Sequence, residues 1–382
     1  MAAKGKIQTV LGPIDPKELG WTITHEHLLA NASAGSLSPA ASAADASHWE
    51  EPLTLANHYE ARREIFLFRD NTVLLSEDEA VEECRRFREH GGDCIVDVTP
   101  FWGYGRDPLA LRRISINSGV HVVMGTGYYV HAYHPPEMAS WDAGRVRDEI
   151  LRDIELGYEK ANVDTSTYGR FSGGSAGGED AADGKKAETV VREHTIRPGV
   201  VGEIGLTWPV HPGEYKSLQG SVQASVQSGL PLTIHPGRSE DAPLHAARLV
   251  EEFKGDLSRT IICHIDLRIS DVQKMLNLAR MGCYLELDAF GLEECYYPLG
   301  TFLLPNDAQR VRYLRTLMEH GFADQLLIAH DIDIKARTTK YGGEGRHHIV
   351  KRVVPLMRQV GLTWVEIDRI LIDNPARILT IN

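Results

Sequence analysis

The stretch Trp21-Thr-Ile-Thr-His25-Glu-His27 decides how the rest of this chain is read. Trp21, Ile23 and His25 alternate with threonines, the period-2 pattern of a short strand. Residues i and i+2 of a strand share a face, so His25 and His27 point the same way. Two imidazoles on one face at a strand's end can grip one metal ion. Taken alone, the pair also fits two hydrogen-bonded core histidines. What separates the two readings is whether further ligand-type residues fall at matching places along the chain.

They do. Short apolar runs over 93–99, 121–126, 199–203, 231–235, 260–264, 283–288 and 325–331 each read as a buried strand. Helical patterns lie between them: 58–91 closing on Gly91-Gly92, 143–160 capped by Asp142, then a helix running to about 229, 241–254, 270–281 and 306–320. Helices at 346–359 and 363–372 close the chain. With the strand ending at His27 this makes eight strand–helix units, which predicts an α/β fold, a (β/α)₈ TIM barrel, in a single domain over 1–382. A doubly wound sheet is the alternative. Residues 30–57, rich in Ala and Ser with prolines at 39 and 52, read as a long loop on the metal side, a candidate lid. The Gly/Ser-rich segment 165–188 reads as a flexible surface insertion.

Active sites of such barrels collect at the C-terminal ends of the strands. Those ends carry His25 and His27 on strand 1, Glu203 on strand 4, His235 on strand 5, His264 on strand 6 and Asp331 on strand 8. The steps from 203 to 235 and from 235 to 264 are 32 and 29 residues, about one strand–helix unit each. Individually, Glu203 fits a solvated loop acid, His235 a turn histidine and His264 a satisfied core histidine. His330 competes with Asp331, which is preferred because a carboxylate can both ligate metal and move a proton. Together, four imidazoles and two carboxylates in one register form a ligand set for two divalent, zinc-like ions.

Composition narrows the function classes. The 382 residues are 42% hydrophobic and 25% charged, ordinary for a soluble globular protein. The net charge of −12 argues against general nucleic-acid or anionic-membrane binding. No apolar run reaches 18 residues and the N-terminus lacks a signal-peptide core, so neither membrane span nor secretion is expected. Five scattered cysteines without a Cys-x-x-Cys fit the cytosol, with Cys94, Cys263 and Cys283 as core thiols.

Several segments carry a resemblance: Gly5 to Gly12, Thr24-His-Glu-His-Leu28, Gly202-Glu-Ile-Gly205, Ile234-His-Pro-Gly-Arg-Ser239, Ala329-His-Asp-Ile332, Lys340-Tyr-Gly-Gly343 and Asn374-Pro-Ala-Arg377. Across almost its whole length the chain resembles the phosphotriesterase superfamily of binuclear-metal amidohydrolases, and within it the phosphotriesterase-related branch. The resemblance implies that His25, His27 and Asp331 hold the more buried ion, and His235 and His264 the more exposed one. Glu203 stands where the wider superfamily has a bridging carboxylated lysine, as that branch does. Ala289 stands where bacterial phosphotriesterases have a relay histidine, which weakens an organophosphate reading. Tyr129 sits where related lactonases place a tyrosine near the bridging hydroxide; it fits a pocket-wall aromatic equally well. The superfamily also points to a homodimer.

The activity implied by the branch is hydrolysis of the amide of N-acetyltaurine to taurine and acetate, extending to other N-acetyl amino acids. A metal-bridging hydroxide is the expected nucleophile, and Asp331 the catalytic residue that returns its proton to the leaving amine. The expected partner is therefore a small anionic N-acyl substrate. Its sulfonate calls for a cationic clamp. Arg238, three residues past His235, is the first choice, ahead of Arg268, Lys335, Arg337 and Lys340. The competing readings are a lactonase or phosphotriesterase on the same metals, whose neutral substrates gain nothing from an arginine. A non-catalytic binding protein would show a broken ligand set.

Overall fold

The computed structural model describes residues 4–35, 47–158, 195–294 and 303–382. The 165–188 insertion and part of the 30–57 loop lie outside these. Eight parallel strands form one sheet in simple sequence order. They are β1 (Thr22–Glu26), β2 (Cys94–Asp97), β3 (His121–Thr126), β4 (Val200–Gly205), β5 (Leu232–His235), β6 (Thr260–Ile262), β7 (Tyr284–Leu287) and β8 (Leu326–Ile328). The sheet curls until β8 meets β1. There the Asp331 N–H donates to the His25 carbonyl at 3.2 Å. The barrel expected from the strand count is what the chain forms.

Alternation along the strands sorts the apolar residues into two cores. Cys94, Val96 and Val98 pack with Val123, Val200, Ile261, Cys263 and Leu327 in the lumen, above a floor of Ile7, Leu19 and Ile378. Ile95, Val122, Ile234 and Leu285 face the other way, onto helix residues such as Phe87, Leu111 and Leu314. Helix signals at the predicted places hold: Asp142 caps Ala143–Leu156 by accepting from the Arg145 N–H, and Asn306 caps Asp307–Glu319.

Two differences from the sequence reading have local causes. The helical pattern of 58–91 forms two helices, His58–Arg63 and Glu77–Glu89. The buried Asn71 amide donates to the Ala61 and Ile65 carbonyls and holds the chain between them in a turn, and Ser76 then caps the second helix. A helix at Pro108–Ser118 also went unread, although Asp107-Pro108 is a cap followed by a first-turn proline.

Where β4 passes the loop after β3, the backbones nearly touch. A Cβ on Gly205 would lie 2.2 Å from the Val130 nitrogen and 2.5 Å from the Tyr129 carbonyl carbon. Because the obstacle is backbone, no rotamer change relieves it. Gly205→Ala is expected to destabilise the fold by about 1–3 kcal/mol, the usual range for overpacking, read as a lower urea midpoint. A wild-type midpoint would contradict this tight approach.

Candidate metal centre and substrate pocket

The six strand-end residues converge at the C-terminal mouth of the barrel. His25 Nε2 stands 3.8 Å from Glu203 Oε1 and 3.5 Å from Asp331 Oδ1. His27 Nε2 stands 3.5 Å from Glu203 Oε2 and 3.4 Å from Asp331 Oδ1. On the other side of Glu203, its Oε1 lies 2.7 Å from His235 Nδ1 and 3.0 Å from His264 Nε2. Glu203 thus belongs to two of the four groups of potential metal ligands among the described residues, one with His25 and His27 and one with His235 and His264, while Asp331 groups with His25 and His264.

The donor atoms fit an ion in the first group. His25 Nε2 is buried and has no hydrogen-bond partner among the described residues, which is costly for a polar atom. The carboxylate oxygens facing His25 Nε2 and His27 Nε2 lie 3.4–3.8 Å away, longer than ordinary hydrogen bonds. They match the edges of a coordination shell whose ligands sit about 2.0–2.2 Å from a zinc-like centre. The second group has the same donor types, drawn in to hydrogen-bond distances.

Outer partners fix how these rings face. Glu286 Oε2 lies 3.1 Å from His25 Nδ1, Thr99 Oγ1 lies 3.0 Å from His27 Nδ1, and Asp288 Oδ1 lies 2.9 Å from His264 Nδ1. Each leaves Nε2 turned into the site, the arrangement in which a second partner sets the orientation of a metal-binding imidazole. Asp288 is itself held: its N–H donates to Asp266, which takes a hydrogen bond from the fully buried Arg310 at 2.6 Å. His264 and Asp331 both adopt left-handed backbone, at φ 57° and 55°. That costs a residue with a Cβ roughly 1–2 kcal/mol, and such strain gathers at functional sites.

The titration behaviour follows from crowding. Burial pulls the His27 pKa down, but the Asp331 and Glu203 carboxylates outweigh it and hold the ring at about 10. His264 is likewise held at about 9 against burial, chiefly by Asp288. His235 goes the other way, to about 3, because burial and the neighbouring His264 both disfavour its charge. Burial raises the carboxyls of Glu203 and Asp331, yet the surrounding imidazoles bring both below the usual range.

His330 is not turned into the cluster. Its Nδ1 meets Glu26 Oε1 at 2.7 Å and its Nε2 accepts from the Ile349 N–H at 3.0 Å. Both nitrogens are engaged, so Asp331 is the residue that this pair offers to the site.

Above the cluster opens a cavity of about 370 Å³. Tyr129 lines it, with its hydroxyl 3.2 Å from His235 Nδ1. Of the basic candidates, Lys335 pairs with Asp70 and Lys340 with Glu79. Arg337 reaches the cavity but is held by Glu344 at 2.6 Å, and Arg62 by Glu294 and Glu344. Arg268 is buried, with Nε donating to the Pro236 carbonyl at 3.4 Å. Arg238 is exposed in the cavity wall without a carboxylate partner among the described residues, and its charge acts on the Tyr129 hydroxyl. Glu26, Glu286, Asp288, Tyr104 and Asp333 were not assigned a role from sequence. The one readable sign was the acidic alternation Glu286-Leu-Asp288 inside an apolar strand.

Chelator-stripped protein titrated with Zn²⁺ is expected to gain thermal stability, by about 2.7 kcal/mol at a hundredfold excess over Kd. Glu203→Ala should bind at least one equivalent less by elemental analysis. Full stoichiometry in that variant would remove Glu203 from the ligand set.

Comparison with known proteins agrees with this geometry. The Phosphotriesterase family model matches residues 5–177 and 185–379. The N-acetyltaurine hydrolase of Salmo salar is 38% identical, with 99% of each chain covered. That of Homo sapiens is 37% identical, with 98% of each covered. Among solved structures, a resiniferatoxin-binding protein from Rhodobacter sphaeroides superposes with a TM-score of 0.84 at 32% identity, covering 98% of this chain and 95% of that one. With a family match over nearly its full length and a ligand cluster at the barrel mouth, the chain belongs to the phosphotriesterase family of metal-dependent hydrolases.

Proposed function

We propose that this enzyme hydrolyses the amide bond of N-acetyltaurine, releasing taurine and acetate, and acts on related N-acetyl amino acids. The observation that carries the reading is the cavity's polarity. Potential metal ligands lie at its base, and Arg238, held by no carboxylate among the described residues, stands in its wall. The full-length likeness to N-acetyltaurine hydrolases supports the same substrate.

His25, His27 and Asp331 would hold one ion, His235 and His264 the other, with Glu203 between them. The mixture of imidazole and carboxylate donors favours zinc. When bound, such ions supply a Lewis acid for the acyl oxygen and a water acidified enough to act as nucleophile at neutral pH. Asp331 is suited to take a proton from that water and deliver it to the leaving nitrogen, because an amide nitrogen leaves poorly unless protonated. Arg238 offers the sulfonate a planar pair of donors. Tyr129 stands over His235 and borders the acyl position. A lactone or phosphotriester leaves the arginine without a partner, so those substrates are disfavoured. Among the described residues four cysteines are buried and unbridged, which fits a reducing compartment such as the cytosol, and no described helix is long and apolar enough to cross a membrane.

Metal-replete protein should release taurine and acetate from N-acetyltaurine and turn over paraoxon or a γ-lactone poorly. Arg238→Ala should raise KM for N-acetyltaurine about tenfold with kcat little changed, the size of one charge-assisted hydrogen bond at a wetted position. Activity confined to the triester or lactone would overturn the reading.

A further inference from the structure

Glu203, Asp331 and Asp333 are the carboxylates that line the cavity, and only the first two belong to the potential metal groups. Asp333 lies two residues past Asp331 on the loop after β8. The Tyr104 hydroxyl donates to its Oδ2 at 3.2 Å, and no donor reaches Oδ1 among the described residues. Tyr104 fixes where this carboxylate stands, because its ring packs on His27 with centroids 5.3 Å apart and on Tyr129 at 5.2 Å. Asp333 is thus set beside the metal-ligand cluster, at the reacting end of the cavity, while Arg238 comes from the loop after β5.

A carboxylate there has a definite consequence for what can bind. It repels a sulfonate, so the anionic end of a substrate is directed toward Arg238. It accepts hydrogen bonds and, when ionised, donates none. An N-acyl amide carries one N–H, on the scissile bond itself; esters, lactones and phosphotriesters carry none. A polar group placed to pair with a substrate N–H discriminates strongly against an analogue that lacks it, since the group is then left unpaired.

Resting on the amidase reading above, we propose that Asp333 is a specificity-determining residue that accepts the N–H of the scissile amide. It would thereby select amides over the isosteric esters. Holding that N–H also leaves the nitrogen lone pair, as the carbon becomes tetrahedral, free to take the proton from Asp331. No bond to Asp333 forms or breaks.

The test compares N-acetyltaurine with O-acetylisethionate, the ester in which oxygen replaces the N–H, on metal-replete wild type, Asp333→Asn, Asp333→Leu and Tyr104→Phe. Asp333→Leu should lose about 10- to 100-fold in kcat/KM on the amide, the range for a hydrogen bond to a charged group, and change less than about threefold on the ester; Asp333→Asn, which keeps an acceptor oxygen without the charge, should lose less on the amide than Asp333→Leu. Tyr104→Phe, which keeps the carboxylate but removes the hydroxyl that fixes it, should lose part of the amide preference, less than Asp333→Leu. Equal losses on both substrates, or an amide preference unchanged in Asp333→Leu, would overturn the inference and leave the amidase reading intact. A wild type inert on both substrates would overturn the amidase reading and this inference with it.

Discussion

The site depends on one buried carboxylate that is not itself among the metal-ligand groups. Glu26 sits between His25 and His27, and its side chain is fully buried where β1 meets the end of β8. Its Oε1 accepts from the His330 N–H at 3.1 Å and meets the His330 ring at 2.7 Å; its Oε2 accepts from the Ile332 N–H at 3.2 Å. Arg346 stands 3.5 Å away and also donates to the His27 carbonyl. An unpaired buried charge would be strongly destabilising, so the first strand and the last loop must come together for Glu26 to be tolerated. When they do, His25, His27 and Asp331 are brought to one point. Glu26 therefore sets the position of half of the ligand cluster.

A similar economy governs the arginines. The Glu344 carboxylate takes both Arg337, at 2.6 Å, and Arg62, at 2.9 Å. Arg337 also donates to the Asp331 carbonyl at 2.8 Å. These two cations are thereby tied to the scaffold around the Asp331 loop and are poor candidates for a substrate anion. Arg238, with no such carboxylate among the described residues, keeps its donors for the cavity. Charge count alone would have made all of them equivalent; partner geometry separates them.

The barrel and its ligand positions were legible because both rest on local pattern. Each apolar run of four to six residues ending in a histidine or acid could be placed on a strand, and a strand end in this fold is a site position. Glu286 was visible as an acid inside β7 and Asp288 as one just past its end, yet their task of orienting His25 and His264 requires knowing which strands are neighbours. Asp333 and Tyr104 were not legible, since they meet across 229 residues of sequence on two irregular loops. The same limit hid the difference between Arg238 and Arg337. Their carboxylate partners are set by loop conformation, for which periodicity carries no information.

The Glu26–His330 pairing spans 304 residues, and that span orders events during synthesis. At about 5–20 residues per second, Glu26 leaves the ribosome roughly 15–60 s before the histidine that receives it. Through that interval the first strand carries an acid and two histidines with no closing partner. The lumen, the seam and the mouth are then completed together by the last fifth of the chain. For this protein the arrival of β8 and the loop after it is the step that turns a growing sheet into a vessel with a metal-binding mouth, and a translation product stopped short of that loop lacks Asp331 and leaves the other five ligand residues without their closing partner.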